Sequence, residues 1–404
     1  MHKFDLIIIG GGMTGLALAA GLAETPLKLA IIEAAQEPPT WKPEQLDMRV
    51  SALSEASRQL LERLGAWSAM EKLRVNPYQG MYVWDSEGTA AVEFQARDAG
   101  VEDLGYLVEN SVTQLGLLEA VKDQQNLTWF RGCKPEKLSP ALDAGGTREL
   151  TLTDGTRLTA SLVVAADGAH SWLRHQGGFS TREWNYNHHA LVTSVRMEKS
   201  HQDAAWQRFD ATGPLAFLPL KPDGNDHWCS IVWSTSPEEA EELKALDEDS
   251  FNQRLTQAFE GRLGQVLESQ ERGVFPLRQR HAVDYVKPGL ALMGDAAHTI
   301  HPLAGQGVNL GFLDVQALTR VVAAAATKGQ PLGSLAVLKS YQQQRKPDNL
   351  AMMALMESFK RLFATRQLPL LLVRNLGMKL VNSQPWIKRR LVAQALGIRA
   401  LAKS

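Results

Sequence analysis

Apolar residues run unbroken through positions 6–9, stop at a glycine cluster, and resume in "MTGLALAAGLAE" before a second solid run, "LKLAIIE". Short apolar runs bounded by turn residues read as strands buried on both faces. The pattern predicts a strand at "DLIIIG", a helix over 13–24 and a strand centred on 29–33, a right-handed βαβ unit with a tight glycine turn. A loop with Pro38, Pro39 and Pro43 follows, then one amphipathic helix around "SEASRQLLERLGAW". Residues 76–100 read as β-rich, "VENSVTQLGLLEAVKD" as a helix, and "LTLTDGTRLTASLVVAADG" as two strands around the turn at Asp154 and Gly155, the second reaching Asp167. From about 180 to 275 the texture becomes alternating and aromatic ("HHALVTSVRM", "HWCSIVWS"), which predicts an antiparallel sheet inserted into the first unit. "GLALMGD" returns to a buried strand, and the remainder is mostly helical. The division this implies is a discontinuous unit of 1–75, 101–180 and 276–345, an inserted unit of 76–100 and 181–275, and a helical segment 346–404.

Composition adds an asymmetry. The 404 residues are 44% hydrophobic with net charge −1, ordinary for a globular protein. Residues 358–404, however, carry ten Lys/Arg and no acid, which leaves 33 basic against 44 acidic side chains, −11, on the rest. A basic tail on an acidic body suits an anionic partner. No basic block points to nucleic acid. Two cysteines, Cys133 and Cys229, form no disulfide framework or metal spacing, which fits a reducing cytoplasm. The N-terminal apolar stretch is broken by five glycines, so it reads as strand and helix rather than an export signal, and no spanning helix is expected.

Candidate chemistry begins at Gly10-x-Gly12-x-x-Gly15, at the strand-to-helix turn, with Glu33 closing the next strand. Gly10 allows the turn, Gly12 lets backbone approach a pyrophosphate, and Gly15 lets helix and strand pack. Glu33 suits the ribose hydroxyls of an adenosine. FAD and NAD share this fingerprint, so it does not choose between them. Two later segments matter: "LVVAADGAHSWLR", which by itself reads as a turn with a helix cap, and "GDAAHTIHPLAGQGVNLG". His298 and His301 with Asp295 suggest a metal, but no third imidazole or HExxH arrangement accompanies them, so no metal is expected.

Through "GGGMTG", the "DG" segment and "GDAAHTIHPLAGQGVNLG", the sequence resembles the single-component flavoprotein aromatic hydroxylases with the p-hydroxybenzoate hydroxylase fold. "MRVSALSEAS", "LVENSV" and "NLGMKL" resemble the ubiquinone-biosynthesis subgroup. The resemblance implies an α/β fold: a Rossmann-like FAD-binding domain, an inserted antiparallel-sheet substrate domain and a helical C-terminal segment. It implies that Asp295 meets the ribityl and pyrophosphate region, that Asp167 and Gly168 hold FAD and handle NAD(P)H, and that Arg49 reaches toward the flavin. Glu109 and Asn110 occupy a family FAD contact. Within "HPLAGQGVNLG", Pro302 shapes the pocket wall, Gly305, Gly307 and Gly311 leave room for a flat ring, and the backbone of Gly307, Val308 and Asn309 opens a helix toward the ring edge that turns negative on reduction.

The implied reaction consumes NAD(P)H, bound transiently since only one dinucleotide fingerprint is present, and O2, and hydroxylates an electron-rich ring. The implied substrate is a polyprenylated phenol or benzoquinol in ubiquinone biosynthesis. "HHALV", "CSIVWS" and "SPEEA" lean toward hydroxylation at C5, "FPLRQRHAVDYVKPGLAL" toward C6. "GPLAFLPL" and Trp233 are candidates for the pocket wall. His188 and His189 are candidate bases that nothing singles out, so no catalytic residue is named. The basic amphipathic tail, with Arg374, Lys379, Lys388, Arg389 and Arg390, predicts docking on an anionic membrane surface or on other ubiquinone-biosynthesis proteins, at the inner face of the cytoplasmic membrane. The alternatives are a flavin reductase or dehydrogenase of a prenyl lipid, and a flavin-bearing structural subunit.

Overall fold

The opening apolar run is β1 (His2–Ile9), followed by α1 (Met13–Gly21) and β2 (Leu29–Glu33), with the strands parallel. The computed structural model describes residues 2–86, 91–210, 212–299, 307–364 and 380–396. α1 stops three residues before its apolar pattern does, where the Leu22 and Ala23 amides turn back onto Ala19 and Ala20. After β3 (Val50–Leu53), the single helix expected over 54–67 is two: α2 (Glu55–Arg63), capped by Ser54, and α3 (Trp67–Leu73). They part at Gly65, whose φ of +77° lies outside helical space.

β4 (Asn76–Tyr78), β5 (Gly80–Asp85), β6 (Ala91–Gln95) and the one-turn α4 (Ala96–Ala99) come next. The helix expected from Val108 starts later: Val108 and Glu109 end β7 (Gly105–Glu109), paired with Ser51 and Val50, and α5 spans Asn110–Val121. Strand pairing with a distant segment wins there over local helical periodicity. The first half closes with β8 (Leu127–Arg131), β9 (Pro135–Leu138), β10 (Arg148–Leu152), β11 (Arg157–Ala165) and α6 (Trp172–Gln176).

The aromatic region gives β12 (Thr181–Met197), β13 (Ala204–Asp210), β14 (Gly213–Leu220), β15 (Trp228–Thr235), α7 (Pro237–Ala245), α8 (Glu248–Ala258), β16 (Val266–Ser269) and β17 (Gly273–Ala282). The chain returns through β18 (Val286–Lys287), β19 (Leu290–Leu292) and β20 (His298–Thr299) to α9 (Gly307–Thr327), α10 (Leu335–Ala364) and α11 (Pro385–Ala395).

One sheet has the order β18-β19-β11-β1-β2-β8, and the five strands from β19 to β8 are parallel. Its inner strands β1, β2, β11 and β19 are buried on both faces, as their solid apolar runs require, with Leu6, Ile7 and Ile8 fully enclosed, whereas the edge strand β8 is half-exposed. The second sheet runs β20-β17-β12-β15-β14-β13-β5-β6. It is antiparallel except between β13 and β5, which are parallel. Alternation with period two is the same for either direction, so sequence patterning carries no sign of this exception. Under the second sheet lies a separate core in which Phe217 stacks on Phe259 with ring centroids 3.6 Å apart. Among the described residues, α9 is the one helix long and apolar enough to cross a membrane, and it packs against α1 and α10.

Candidate cofactor and substrate site

In a parallel sheet every strand ends at the same edge, and that edge is where ligands bind. β1, β11 and β19 lie side by side, with Ile9 beside Ala165 and Ala165 beside Leu292. Three segments distant in sequence are thereby brought together: Gly10, Ala166 with Asp167, and Met293 with Gly294. Gly10 has φ +105°, and a Cβ there would stand 2.4 Å from Ala166 O. A Cβ at Gly15 would stand 2.0 Å from Gly10 O. Both glycines are thus demanded by contacts within the protein.

Gly12 is different. A Cβ there meets nothing within 4 Å, yet Gly12 heads α1 with no side-chain cap. The first amides of a helix lack intrahelical acceptors. A cradle open at a helix N-terminus is what a pyrophosphate fills, so the residues present fit a dinucleotide.

Glu33 accepts hydrogen bonds from Gly11 N (2.6 Å) and Ala35 N (2.8 Å). An ionised carboxylate has about four acceptor sites, so capacity remains for ribose hydroxyls. Beside it is a cavity of about 260 Å³ lined by Gly11, Glu33, Pro38, Gln114, Trp129 and Arg131, among others. Sequence reasoning missed the last three. Gln114 Nε2 donates to Gly11 O (2.9 Å), and Arg131 sits opposite Glu33 across β2 and β8 with its guanidinium 4.1 Å from the Trp129 ring. Nothing in their sequence neighbourhood signals a role: Trp129 and Arg131 arrive through the β2–β8 pairing and Gln114 through its bond to Gly11. Glu33→Ala is expected to weaken FAD binding about ten- to a hundredfold, since a hydrogen bond to a charged group is worth about 1.5–3 kcal/mol. Titrating apoprotein with FAD by fluorescence quenching measures this.

The "DG" segment has the local form of a capped turn: Ser171 Oγ accepts from Arg174 N (3.0 Å), and Asp167 Oδ2 from Leu173 N (3.2 Å). Asp167 Oδ1 is buried with no hydrogen-bond partner among the described residues, and burial raises its carboxyl pKa. A Cβ on Gly168 would meet nothing. An acceptor without a donor, one residue before a glycine whose Cβ position is open, again fits a bound group. The buried Arg174 donates to Ala169 O (2.8 Å) and Ala296 O (3.0 Å), tying this turn to the "GD" turn.

Asp295 is exposed at the strand edge but ringed by protein. That crowding raises its carboxyl pKa, with His298 and Arg49 opposing. Arg49 is exposed and close enough for its charge to act on Asp295. Glu109 does not fit the contact expected of it: its side chain is fully buried, paired with Arg74 Nη1 (3.0 Å) and accepting from Asp47 N (2.8 Å). Asn110 accepts from Ser51 Oγ (2.7 Å).

Gly307, Val308 and Asn309 form the first turn of α9. Pro302 and Gly305, with His301, lie outside the described residues. The Asn309 side chain is committed to the protein, donating to Ala52 O (2.7 Å) and accepting from Ser54 N (2.9 Å) and Ser57 Oγ (2.6 Å). It clamps the helix start to β3 and α2. Gly311 corrects an expectation: a Cβ there would be 2.8 Å from the Thr14 methyl, so it accommodates α1 rather than a flat ring. His298 is buried, with Nε2 2.5 Å from Asp314 Oδ2. Asp314 also accepts from Gly294 N (3.0 Å), Arg345 Nε (2.8 Å) and Asn349 Nδ2 (3.2 Å).

A second, apolar cavity of about 80 Å³ lies between the second sheet and β3, next to Asn309. Its walls include Tyr78, Met81, Leu104, Leu107, Ala216 and Leu218, with Gln207 among the polar members. "GPLAFLPL" therefore divides by strand alternation. Ala216 and Leu218 face the cavity, whereas Leu215 and Phe217 enter the core with Trp233, which is no wall. Burial pushes the Tyr78 hydroxyl up to about 12, so it stays protonated. His188 and His189, opposite Leu277 and Pro276 on β12, are not among the lining residues.

The chain is similar to known proteins over nearly its whole length. Residues 3–355 match the family model described as "FAD binding domain". The chain is 40% identical to the 3-demethoxyubiquinol 3-hydroxylase of Escherichia coli (strain K12), covering 98% of each chain. It is 36% identical to the mitochondrial ubiquinone biosynthesis monooxygenase COQ6 of Xenopus tropicalis, over 97% of this chain and 93% of that one. Among solved structures, p-nitrophenol 4-monooxygenase PnpA of Pseudomonas putida DLL-E4 superposes with TM-score 0.78 at 18% identity, over 98% of this chain and 99% of the other. At that identity the likeness speaks to the fold.

Proposed function

The chain belongs to the FAD binding domain family and is a flavin-dependent aromatic monooxygenase, and on that premise we propose that it hydroxylates the ring of a polyprenylated phenol or benzoquinol in ubiquinone biosynthesis, with NAD(P)H and O2. The observation that carries this reading is the apolar cavity beside Asn309, whose walls border the N-terminal turn of α9. The chemistry supplied by bound FAD is acceptance of hydride from NAD(P)H and delivery of one atom of O2 to an electron-rich carbon.

The protein's part is position and electrostatics. In this reading Gly10, Gly12 and Gly15 shape the turn on which the pyrophosphate rests, and Glu33 takes the adenosine ribose. Asp167, Gly168, Asp295 and Arg49 carry the ribityl half. Pro302, Gly305, Gly307, Val308 and Asn309 border the ring, where the helix dipole favours negative charge. The apolar wall of Met81, Leu107, Ala216 and Leu218 keeps water from the reacting carbon. The protonated Tyr78 hydroxyl and the Gln207 amide are the groups that orient a ring hydroxyl.

For the ring position our reading is C5, on "HHALV", "CSIVWS" and "SPEEA"; "FPLRQRHAVDYVKPGLAL" supports C6 as the second reading. The test is turnover of the FAD-loaded protein with NAD(P)H, ¹⁸O2 and a short-chain prenylated phenol. The expected product carries one ¹⁸O, at C5 by NMR. Product without label would make the protein a reductase or dehydrogenase. FAD binding with no turnover on any phenol would make it a structural subunit.

A further inference from the structure

The geometry points to α11 as the element that seats this protein on an anionic lipid bilayer, with its underside roofing the outer end of the apolar cavity so that a lipid-borne substrate enters from the membrane beneath it. The docking half stands on the helix alone. The entry half rests on the proposed hydroxylation of a prenylated ring.

The inward face of α11 is short and specific. Val392 and, just past the helix, Leu396 are buried against Ala96 and Leu104, with Tyr78, Met81 and Phe94 packed around them. Tyr78, Met81 and Leu104 are also walls of the apolar cavity. One layer of side chains therefore separates α11 from the space where the ring is held. The helix is pinned there by Arg389 Nε on Asp98 O (2.9 Å), and the turn before it by Asn382 Oδ1, which accepts from Glu93 N (3.3 Å).

The outward face has a different composition. At about 100° per residue, Trp386, Arg390, Ile387 and Leu391 share one arc opposite Val392 and Leu396. Trp386 is 64% and Leu391 39% exposed, and Leu380, just upstream, is 53% exposed. A large aromatic and aliphatic side chains held in solvent beside arginine form the pattern of a helix lying in a bilayer interface. Charge selects the occupant. The ten cations of 358–404 have no acid among them and sit on a body of −11. An anionic surface attracts that tail, whereas a second copy docked through its own α11 would oppose it with the same cations.

The test uses the full-length, FAD-loaded protein and vesicles of phosphatidylcholine with or without phosphatidylglycerol. Cosedimentation is expected with the anionic vesicles only. Arg390→Glu is expected to weaken it about thirtyfold, since each cation near such a surface contributes about 1 kcal/mol and the change counts twice. Trp386→Ser with Leu391→Ser is expected to weaken it further at high salt, where the apolar contribution remains. Flavin content and melting temperature of the variants report that the fold is intact. Equal sedimentation of parent and variants, equal binding to neutral vesicles, or concentration-dependent self-association without vesicle binding would each overturn the docking half. For the entry half, the variants should raise KM for a vesicle-borne prenylated phenol and leave kcat unchanged. An unchanged KM overturns it. Sedimentation involves no turnover, so failure of the hydroxylation reading leaves the docking result readable.

Discussion

Gly12→Val is expected to yield a folded protein almost free of FAD. Gly12 has φ −77° and ψ −175°, which valine adopts without strain, and no protein atom lies within 4 Å of its Cβ position. Because it makes no side-chain cap bond, the change costs the helix less than about 1 kcal/mol. The valine methyls instead occupy the cradle at the start of α1, where a pyrophosphate would accept from the backbone amides. Loss of two such charge-assisted bonds, at about 1.5–3 kcal/mol each, weakens FAD about a hundred- to ten-thousandfold. Gly15→Val is the contrast: its Cβ would be 2.0 Å from Gly10 O, so that variant should fail to fold. Flavin absorbance of the purified Gly12→Val protein, with its melting curve, decides the matter. A valine protein as yellow as the parent would show that the glycine serves only the turn.

Asp314→Ala is expected to remove about 3–5 kcal/mol of stability, because it leaves the buried Arg345 guanidinium with only the exposed Asp348 carboxylate, 3.3 Å away, as counter-charge. Asp314 is fully buried and receives Gly294 N, His298, Arg345 and Asn349. Burial by itself would raise its carboxyl, but the charge and hydrogen bonds of His298 and Arg345 overcome it and hold it at about 2. A carboxyl lowered in the folded state stabilises fully above the ordinary aspartate range near 4, and the contribution is lost as pH falls toward 2. The variant's deficit should therefore be largest near neutrality and shrink in acid. Urea denaturation of the apoprotein at several pH values measures it. Asp314→Asn combined with Arg345→Gln should recover part of the loss, since the guanidinium that would lack Asp314 is removed with it. An alanine variant as stable as the parent at pH 7 would deny the cluster any role. The same carboxylate holds the Gly294 amide beside Asp295, so reduced flavin retention should accompany the lower stability.

Elements whose signal is local were readable from the chain. β1, α1 and β2 are set by solid apolar runs around glycines, and Glu33 by its place at the end of a strand. Where a distant partner competes, local reading slipped. Val108 and Glu109 continue an apparent helix but pair with Ser51 and Val50, and Glu109 turns inward to Arg74 rather than toward the cofactor edge. The stretch 54–67 scans as one amphipathic helix because periodicity survives a single glycine, whereas backbone geometry at Gly65 does not.

Glycine roles show the same division. The spacing of Gly10, Gly12 and Gly15 marks a dinucleotide turn, but only the packed structure reveals that two of them answer to protein atoms and one to open space. Asn309 sits in the right segment, yet its side chain belongs to β3 and α2. Arg131 and Gln114 line the cavity beside Glu33 with no mark in their own neighbourhoods.

Residue order alone determined that a strand–glycine turn–helix–strand unit with a terminal acid exists, that a differently textured sheet interrupts it, and that the tail is basic. These are properties of short stretches, encoded by periodicity and by what each side chain or its absence permits. Tertiary structure alone decided that β1, β11 and β19 end at one edge, that Arg131 faces Glu33, and that α11 covers the walls of the apolar cavity. Those depend on contacts between segments about a hundred or more residues apart, and a pairing partner is chosen by the whole packed core, not by any window of the chain.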